Sequence, residues 1–268
     1  MKAGCPEGQN VGIQFLESDF NPFEYSNNSH NIQADVMGLA VKCGNTTLPV
    51  SVLTDPIDIL SRREDQSLSG SMYTFAGSAP LGKVQVFPFY VKKMASFLSF
   101  VVDVNTTEFP QPVTLLLRKG APPTTAAYNW TTTLPLPEDQ LFSIPWRDNS
   151  SLNSNPYQWM LSTEDIDFFP SDVENMTEYY IGVEFASTAN QGSNGNVIFT
   201  LYVFETSCVY FDEGDTHLWT SEGCKVGLLS NLTHIHCQCD HLTKFSGFVA
   251  PNPLNIQEAL SANVLENP

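Results

Sequence analysis

Apolar and polar residues alternate with a period of two along much of the chain. Leu98, Phe100, Val102 and Val104 alternate with Ser99, Val101 and Asp103. Val113, Leu115 and Leu117 run into Arg118-Lys119-Gly120, a turn signal. Tyr179, Ile181, Val183 and Phe185 repeat the pattern, as do Val197, Phe199, Leu201 and Val203. Runs of this kind, rich in Val, Phe and Tyr, predict strands with one face in a core. Glycines and prolines, 16 and 18 of them, are scattered between the runs as turn punctuation. No long amphipathic helix is visible. Short helical pieces are expected near Ile57 to Arg63 and from Asn255 to Leu265. The Pro- and Thr-rich stretch Gly120 to Pro137 and the Ser-, Asn- and Gly-rich stretch Ser187 to Asn196 read as loops. The expected class is all-β, a two-layer β-sandwich with short helices at most.

Composition places this sandwich more closely. With 268 residues, 42% hydrophobic and only 15% charged, the chain can bury a sizeable core. The formal net charge of −17 repels phosphate backbones and anionic lipid, so nucleic acid is not an expected partner. Asn-x-Ser/Thr sequons stand at Asn27, Asn45, Asn105, Asn129, Asn149, Asn175 and Asn231. Seven of them point to the secretory pathway and to glycosylation on the extracellular side. The first residues lack the basic flank and apolar stretch of a signal peptide. No stretch reaches the roughly 20 apolar residues of a membrane helix. A secretory chain of this kind reads as part of something larger. The acidic stretch Glu164 to Glu174, interrupted by Phe168, Phe169 and Pro170, reads as a solvated loop rather than a calcium site.

Candidate chemistry concentrates between Cys208 and Phe245. The segment holds Cys208, Tyr210-Phe211, Trp219 and Gly223-Cys224, and ends Cys237-Gln238-Cys239-Asp240-His241-Leu242-Thr243-Lys244-Phe245. His234, His236, Cys237, Cys239 and His241 are all possible zinc ligands. The sequons imply an oxidising compartment, which favours disulfides, so no metal or other cofactor is expected. Cys237 and Cys239 point the same way along an extended strand, so each should bridge back to Cys208 or Cys224. The preferred pairing is Cys208 with Cys237 and Cys224 with Cys239. The crossed arrangement is also compatible with the spacing. Cys5 and Cys43 are left to pair. Trp219 reads as core, and His217, His234 and His236 as surface histidines without a role.

This segment resembles the G-protein-coupled-receptor proteolysis site (GPS), the last part of the GAIN domain of adhesion receptors and large receptor-like polycystins. Cys208, Tyr210-Phe211, Trp219, Gly223-Cys224, Cys237-x-Cys239, His241-Leu242-Thr243 and Phe245 carry the resemblance. Phe211 departs from it, since the family usually has Trp there. Asn21-Pro22-Phe23, Val36-Met37-Gly38-Leu39, Leu48-Pro49-Val50 and Pro56-Ile57 are similar to the opening of a polycystin GAIN domain. So are Leu117-x-x-Gly120, Pro123-Thr124 and Tyr128. Phe248-Val249-Ala250-Pro251-Asn252-Pro253 looks like the polycystin lead-in to the first membrane helix, where adhesion receptors more often carry Leu-Met.

The resemblance implies a GAIN-type domain over 1–250, with the proteolysis motif at 208–245 and a linker toward a membrane helix at 251–268. It implies self-cleavage between Leu242 and Thr243, with Thr243 as nucleophile and His241 as base. After the cut, strand 243–250, with Thr243, Phe245, Phe248 and Val249, stays bound without a covalent link and acts as a tethered agonist when pulled out. The expected partners are the chain's own C-terminal fragment and, in a membrane-embedded whole protein, a polycystin calcium-channel subunit. The alternatives are the GAIN domain of an adhesion G-protein-coupled receptor, a non-cleaving ligand-binding sandwich, and a hydrolase acting in trans. No nucleophile, base and orienting group are visible outside the triplet for the last.

Overall fold

A computed structural model of the chain describes residues 5–6, 8–26, 29, 32, 34–63, 72–91, 97–104, 112–145, 151–162, 166, 177–186, 196–214 and 216–249. The chain is all-β. Among the described residues there is no α-helix, and a 3-10 turn spans Glu138–Gln140.

The strands in chain order begin with β1 (Val11–Ser18), β2 (Val36–Cys43), β3 (Thr46–Leu48) and β4 (Ile57–Arg62). Then follow β5 (Met72–Pro80), β6 (Val84–Val91), β7 (Phe97–Val104), β8 (Val113–Lys119) and β9 (Trp130–Leu134). Next come β10 (Ser143–Pro145), β11 (Ser151–Asn153), β12 (Gln158–Ser162), β13 (Thr177–Phe185) and the long β14 (Asn196–Phe211). The chain closes with β15 (Trp219–Thr220), β16 (Cys224–Val226), β17 (His234–Cys239) and β18 (Lys244–Val249). They fall into two compact units, one of residues 1–68 and 206–249 and one of residues 69–205 and 250–268.

The second unit is a two-layer sandwich. One layer is the antiparallel sheet β6-β13-β8-β9. The other is built from β5, the first residues of β14, β7 and β12. The alternating residues of the sequence meet between the layers. Tyr179, Ile181, Val183 and Phe185 of β13 are fully buried against Phe199 and Leu201 of β14 and Phe100 of β7 in one core. Burying each such side chain contributes about 1.5–3 kcal/mol, and this core is the main stabilising term of the unit. Strand β7 departs from simple alternation, since Leu98 through Val102 are buried without a break.

The first unit places the segment from Cys208 to Phe245. Strand β18 lies inside a sheet, antiparallel to residues 206–211 of β14 on one edge and to β2 on the other. Strand β17 lies between β16 and β4 in a three-stranded sheet. Three disulfides brace the unit. Cys208–Cys237 ties β14 to β17, Cys224–Cys239 ties the paired strands β16 and β17, and Cys5–Cys43 ties the chain's first residues to the end of β2.

Two expectations are corrected here. Ile57 to Arg62 is strand, not helix. Ile57, Ile59 and Ser61 alternate as β-branched and small residues that fit beside Cys239, Cys237 and Ile235 of β17. The Pro- and Thr-rich stretch also contains strand β9, whose residues 130–134 pair with β8. Thr131, Thr132 and Thr133 suit a pleated edge, and their β propensity outweighs the neighbouring prolines. Residues 187–195, 255–265 and the acidic stretch apart from Ile166 lie outside the described residues.

Candidate self-cleavage site

The triplet His241-Leu242-Thr243 occupies the turn between β17 and β18, and backbone bonds hold it on several sides. Asp240 N–H donates to the Gly223 carbonyl at 3.0 Å, and Leu53 N–H donates to the Asp240 carbonyl at 2.5 Å. Leu242 N–H donates to the Val50 carbonyl at 3.0 Å, and Leu39 N–H to the Thr243 carbonyl at 3.0 Å. The segment that supplies Val50 and Leu53 contains Val52 at φ +58°, a costly conformation for a β-branched residue. The Thr243 hydroxyl donates to the Phe211 carbonyl at 3.3 Å. Phe211 is itself fixed. Its ring stacks on Phe23 with centroids 4.0 Å apart and meets Trp219 edge-on at 5.5 Å, in a cluster with Val36 and Val209. Trp219 thus acts through packing on the residue that receives the Thr243 hydroxyl.

His241 is seated by four neighbours. Its ring meets the Tyr210 ring edge-on at 4.3 Å and lies 5.4 Å from that of Phe245. Tyr210 and Phe245 are cross-strand partners, so they present one face to the imidazole. Nδ1 of His241 lies 3.1 Å from an Asp240 carboxylate oxygen. Gly223, at φ +72°, lies beneath this pair, where a Cβ would sit 2.5 Å from Asp240 Oδ1 and 3.1 Å from His241 Nδ1. Only glycine fits that position. Nε2 of His241 is buried and has no hydrogen-bond partner among the described residues. Burial, reinforced by the carboxylates of Asp212, Glu222 and Asp240, pushes the Tyr210 phenol above its ordinary value. Tyr210 therefore stays neutral beside the imidazole at physiological pH.

No hydrogen bond joins His241 to Thr243 among the described residues; the two side chains hold Asp240 and Phe211 instead. Phe245 is buried. The side chains of Phe248 and Val249 lie outside the described residues, as does the linker at 251–268. All six cysteines are in disulfides, and no group of three His, Cys, Asp or Glu among the described residues is placed to hold a metal ion. Of the sequons, Asn45 and Asn129 are exposed. Asn231 is half-buried, its carboxamide oxygen accepting from the N–H groups of Thr233 and His234. Asn27, Asn105, Asn149 and Asn175 lie outside the described residues.

Sequence reasoning gave no positioning role to Asp240, Gly223, Val50 and Leu39, although Gly223, Val50 and Leu39 stand in segments that carry the family resemblance. Asp240 offered a signal of its own, a carboxylate directly beside the histidine. His236 is also corrected. It is fully buried, accepting from Leu229 N–H at Nδ1 (3.3 Å) and placing Nε2 2.8 Å from Asp58. A ring nitrogen that accepts carries no proton, so neutral His236 bears its proton on Nε2 and donates it to Asp58. The reason for the difference is the turn before β17, whose Gly227 and Leu229 lie against the ring, together with Asp58 of β4 at its other nitrogen.

The family model described as GPS, GAIN subdomain B, matches residues 124–253. Polycystin-1-like protein 3 of Mus musculus is 25% identical over 262 residues, which is 96% of this chain and 11% of that protein. Polycystin-1-like protein 3 of Homo sapiens is 24% identical over 262 residues, covering 96% of this chain and 14% of its own length. The chain thus spans little more than a tenth of the curated relatives it matches. Among solved structures, the VP2 subviral particle of infectious bursal disease virus aligns over 94% of this chain and 63% of its own. With 11% identity and a TM-score of 0.24, that likeness carries no argument. Residues 124–253, just under half of the chain, match the GAIN subdomain B family with its GPS motif, which supports an autoproteolysis-type module, and the two polycystin-1-like relatives match the chain along nearly its whole length.

Proposed function

We propose that the chain cuts its own backbone once, between Leu242 and Thr243, and keeps strand 243–250 in place as a tethered agonist on the extracellular side of a polycystin-like receptor or channel. The observation that carries this reading is the seating of His241, with Nδ1 on a carboxylate and Nε2 buried and unpartnered two residues before a threonine hydroxyl. The Thr243 hydroxyl turns from the Phe211 carbonyl, gives its proton to His241 and attacks the Leu242 carbonyl carbon. The new C–O bond forms and the Leu242–Thr243 C–N bond breaks. His241 returns the proton to the departing nitrogen, so an ester replaces the amide. Water then hydrolyses the ester to a Leu242 carboxylate and a free Thr243 hydroxyl. The attack is intramolecular, which removes much of the entropic barrier. General-base help at neutral pH is typically worth about 10²–10⁴-fold.

After the cut, β18 keeps its bonds to β14 and β2, so the fragments stay together. Protein secreted from cultured cells should run as two bands on a denaturing gel and co-elute under native conditions. The smaller fragment should begin Thr243-Lys244-Phe245 on amino-terminal sequencing. Thr243→Ala should leave one band, and Thr243→Ser should still cut. A single wild-type band would overturn the reading. The bond from the Thr243 hydroxyl to Phe211 favours a second reading, a non-cleaving binding sandwich, and that same single band is its outcome.

A further inference from the structure

We infer that Asp240 is a positioning residue that fixes which nitrogen of His241 carries the proton. The inference rests on the self-cleavage reading for its purpose but not for its test. Neutral imidazole has one N–H and one lone pair, and the hydrogen bond at one nitrogen decides the role of the other. Nδ1 of His241 lies 3.1 Å from Asp240 Oδ1. An ionised carboxylate only accepts, so Nδ1 donates and the proton is held there. The lone pair then falls on Nε2, which is buried and unpartnered among the described residues. The opposite tautomer would set a lone pair against a carboxylate and bury an unpaired N–H.

Among the described residues, no hydrogen-bond partner competes with Asp240 for the His241 ring. Tyr210 and Phe245 offer ring contacts, and the backbone beneath the pair is Gly223. Among the described residues, the carboxylates of Asp212, Glu222 and Asp240 act on Tyr210, and Lys244 pairs with Glu213. Asp240 itself stays in place because its backbone bonds both Gly223 and Leu53. The lone-pair nitrogen is the one that can take a proton, so Asp240 prepares the base by fixing its tautomer.

Two measurements test this. In the Thr243→Ala chain, which cannot cut, ¹⁵N-labelled histidine reports the His241 tautomer directly. The expected signal is a neutral ring protonated on Nδ1. Asp240→Ala should shift the population toward the Nε2-protonated form. In the otherwise wild-type chain, Asp240→Ala should slow cutting by about tenfold or more, a part of the general-base contribution. Asp240→Asn keeps an acceptor oxygen without the charge. It should retain more of the rate than Asp240→Ala and keep the ring protonated on Nδ1. An unchanged tautomer in Asp240→Ala overturns the inference even if the wild type cuts. Failure of the wild type to cut overturns the functional reading and leaves the tautomer measurement to decide this one.

Discussion

At the scale of single residues, the turn before β18 depends on Gly223. Its φ of +72° lies in the left-handed region, and a side chain there would press on Asp240 and His241. Gly223→Ala should therefore have two effects. It should cost about 1–2 kcal/mol in folding stability, measured by urea denaturation, from the left-handed backbone alone. It should also slow cutting by displacing the carboxylate and imidazole together. Gly214→Ala offers a control in a neighbouring turn without a positive φ, and should leave cutting unchanged. The triplet itself was legible in the sequence because its cysteine and tryptophan frame is local. Its supports were not, because Val50 and Leu39 reach it from some 200 positions away and act through backbone atoms that any residue carries.

At the scale of elements, β17 and β18 are matched by a close approach at one glycine. Gly247 pairs with Cys208, and a Cβ there would lie 2.5 Å from the terminal carbon of Ile235. Gly247→Val should destabilise the first unit by about 1–3 kcal/mol, the usual range for overpacking. A lowered urea midpoint together with intact disulfides on a non-reducing gel would separate this packing effect from loss of the bridge. Strands with one buried face, such as β8 and β13, could be read from alternation because solvent and core sit on opposite sides. Strand β4 could not, because six residues with an Asp and an Arg fit either period until β17 supplies an edge. Residues 130–134 were hidden by the composition around them, although β8 provides the same template.

At the scale of the whole molecule, the aromatic core makes stability sensitive to alkali. Tyr73 and Tyr179 are buried in the second unit, and burial, chiefly, pushes both phenols up to about 12. The unfolded chain titrates near its ordinary value of about 10. Below that pH both states keep the protons and stability is undiminished. Between about 10 and 12 the unfolded state loses protons that the folded state retains, so stability falls with rising pH, by roughly 2 kcal/mol per tyrosine at the upper end. The Tyr179 hydroxyl has no hydrogen-bond partner among the described residues. Tyr179→Phe should thus be nearly neutral at pH 8 and should reduce the alkaline loss, as read from urea midpoints across that range.

The interior position of β18 also has a mechanical side. Six residues of β18 pair with residues 206–211 of β14, and Lys244 and Phe245 pair with β2 as well. A force applied along the strand axis loads these bonds in shear, all at once, whereas a force across the axis would peel them one after another. Cys208–Cys237 anchors the neighbouring strand to β17, so β14 cannot follow β18 outward. A cut at the turn would remove the covalent link and leave the described part of β18 held by this joint and by its packing. The tension needed to withdraw the segment would then depend on the direction of pull.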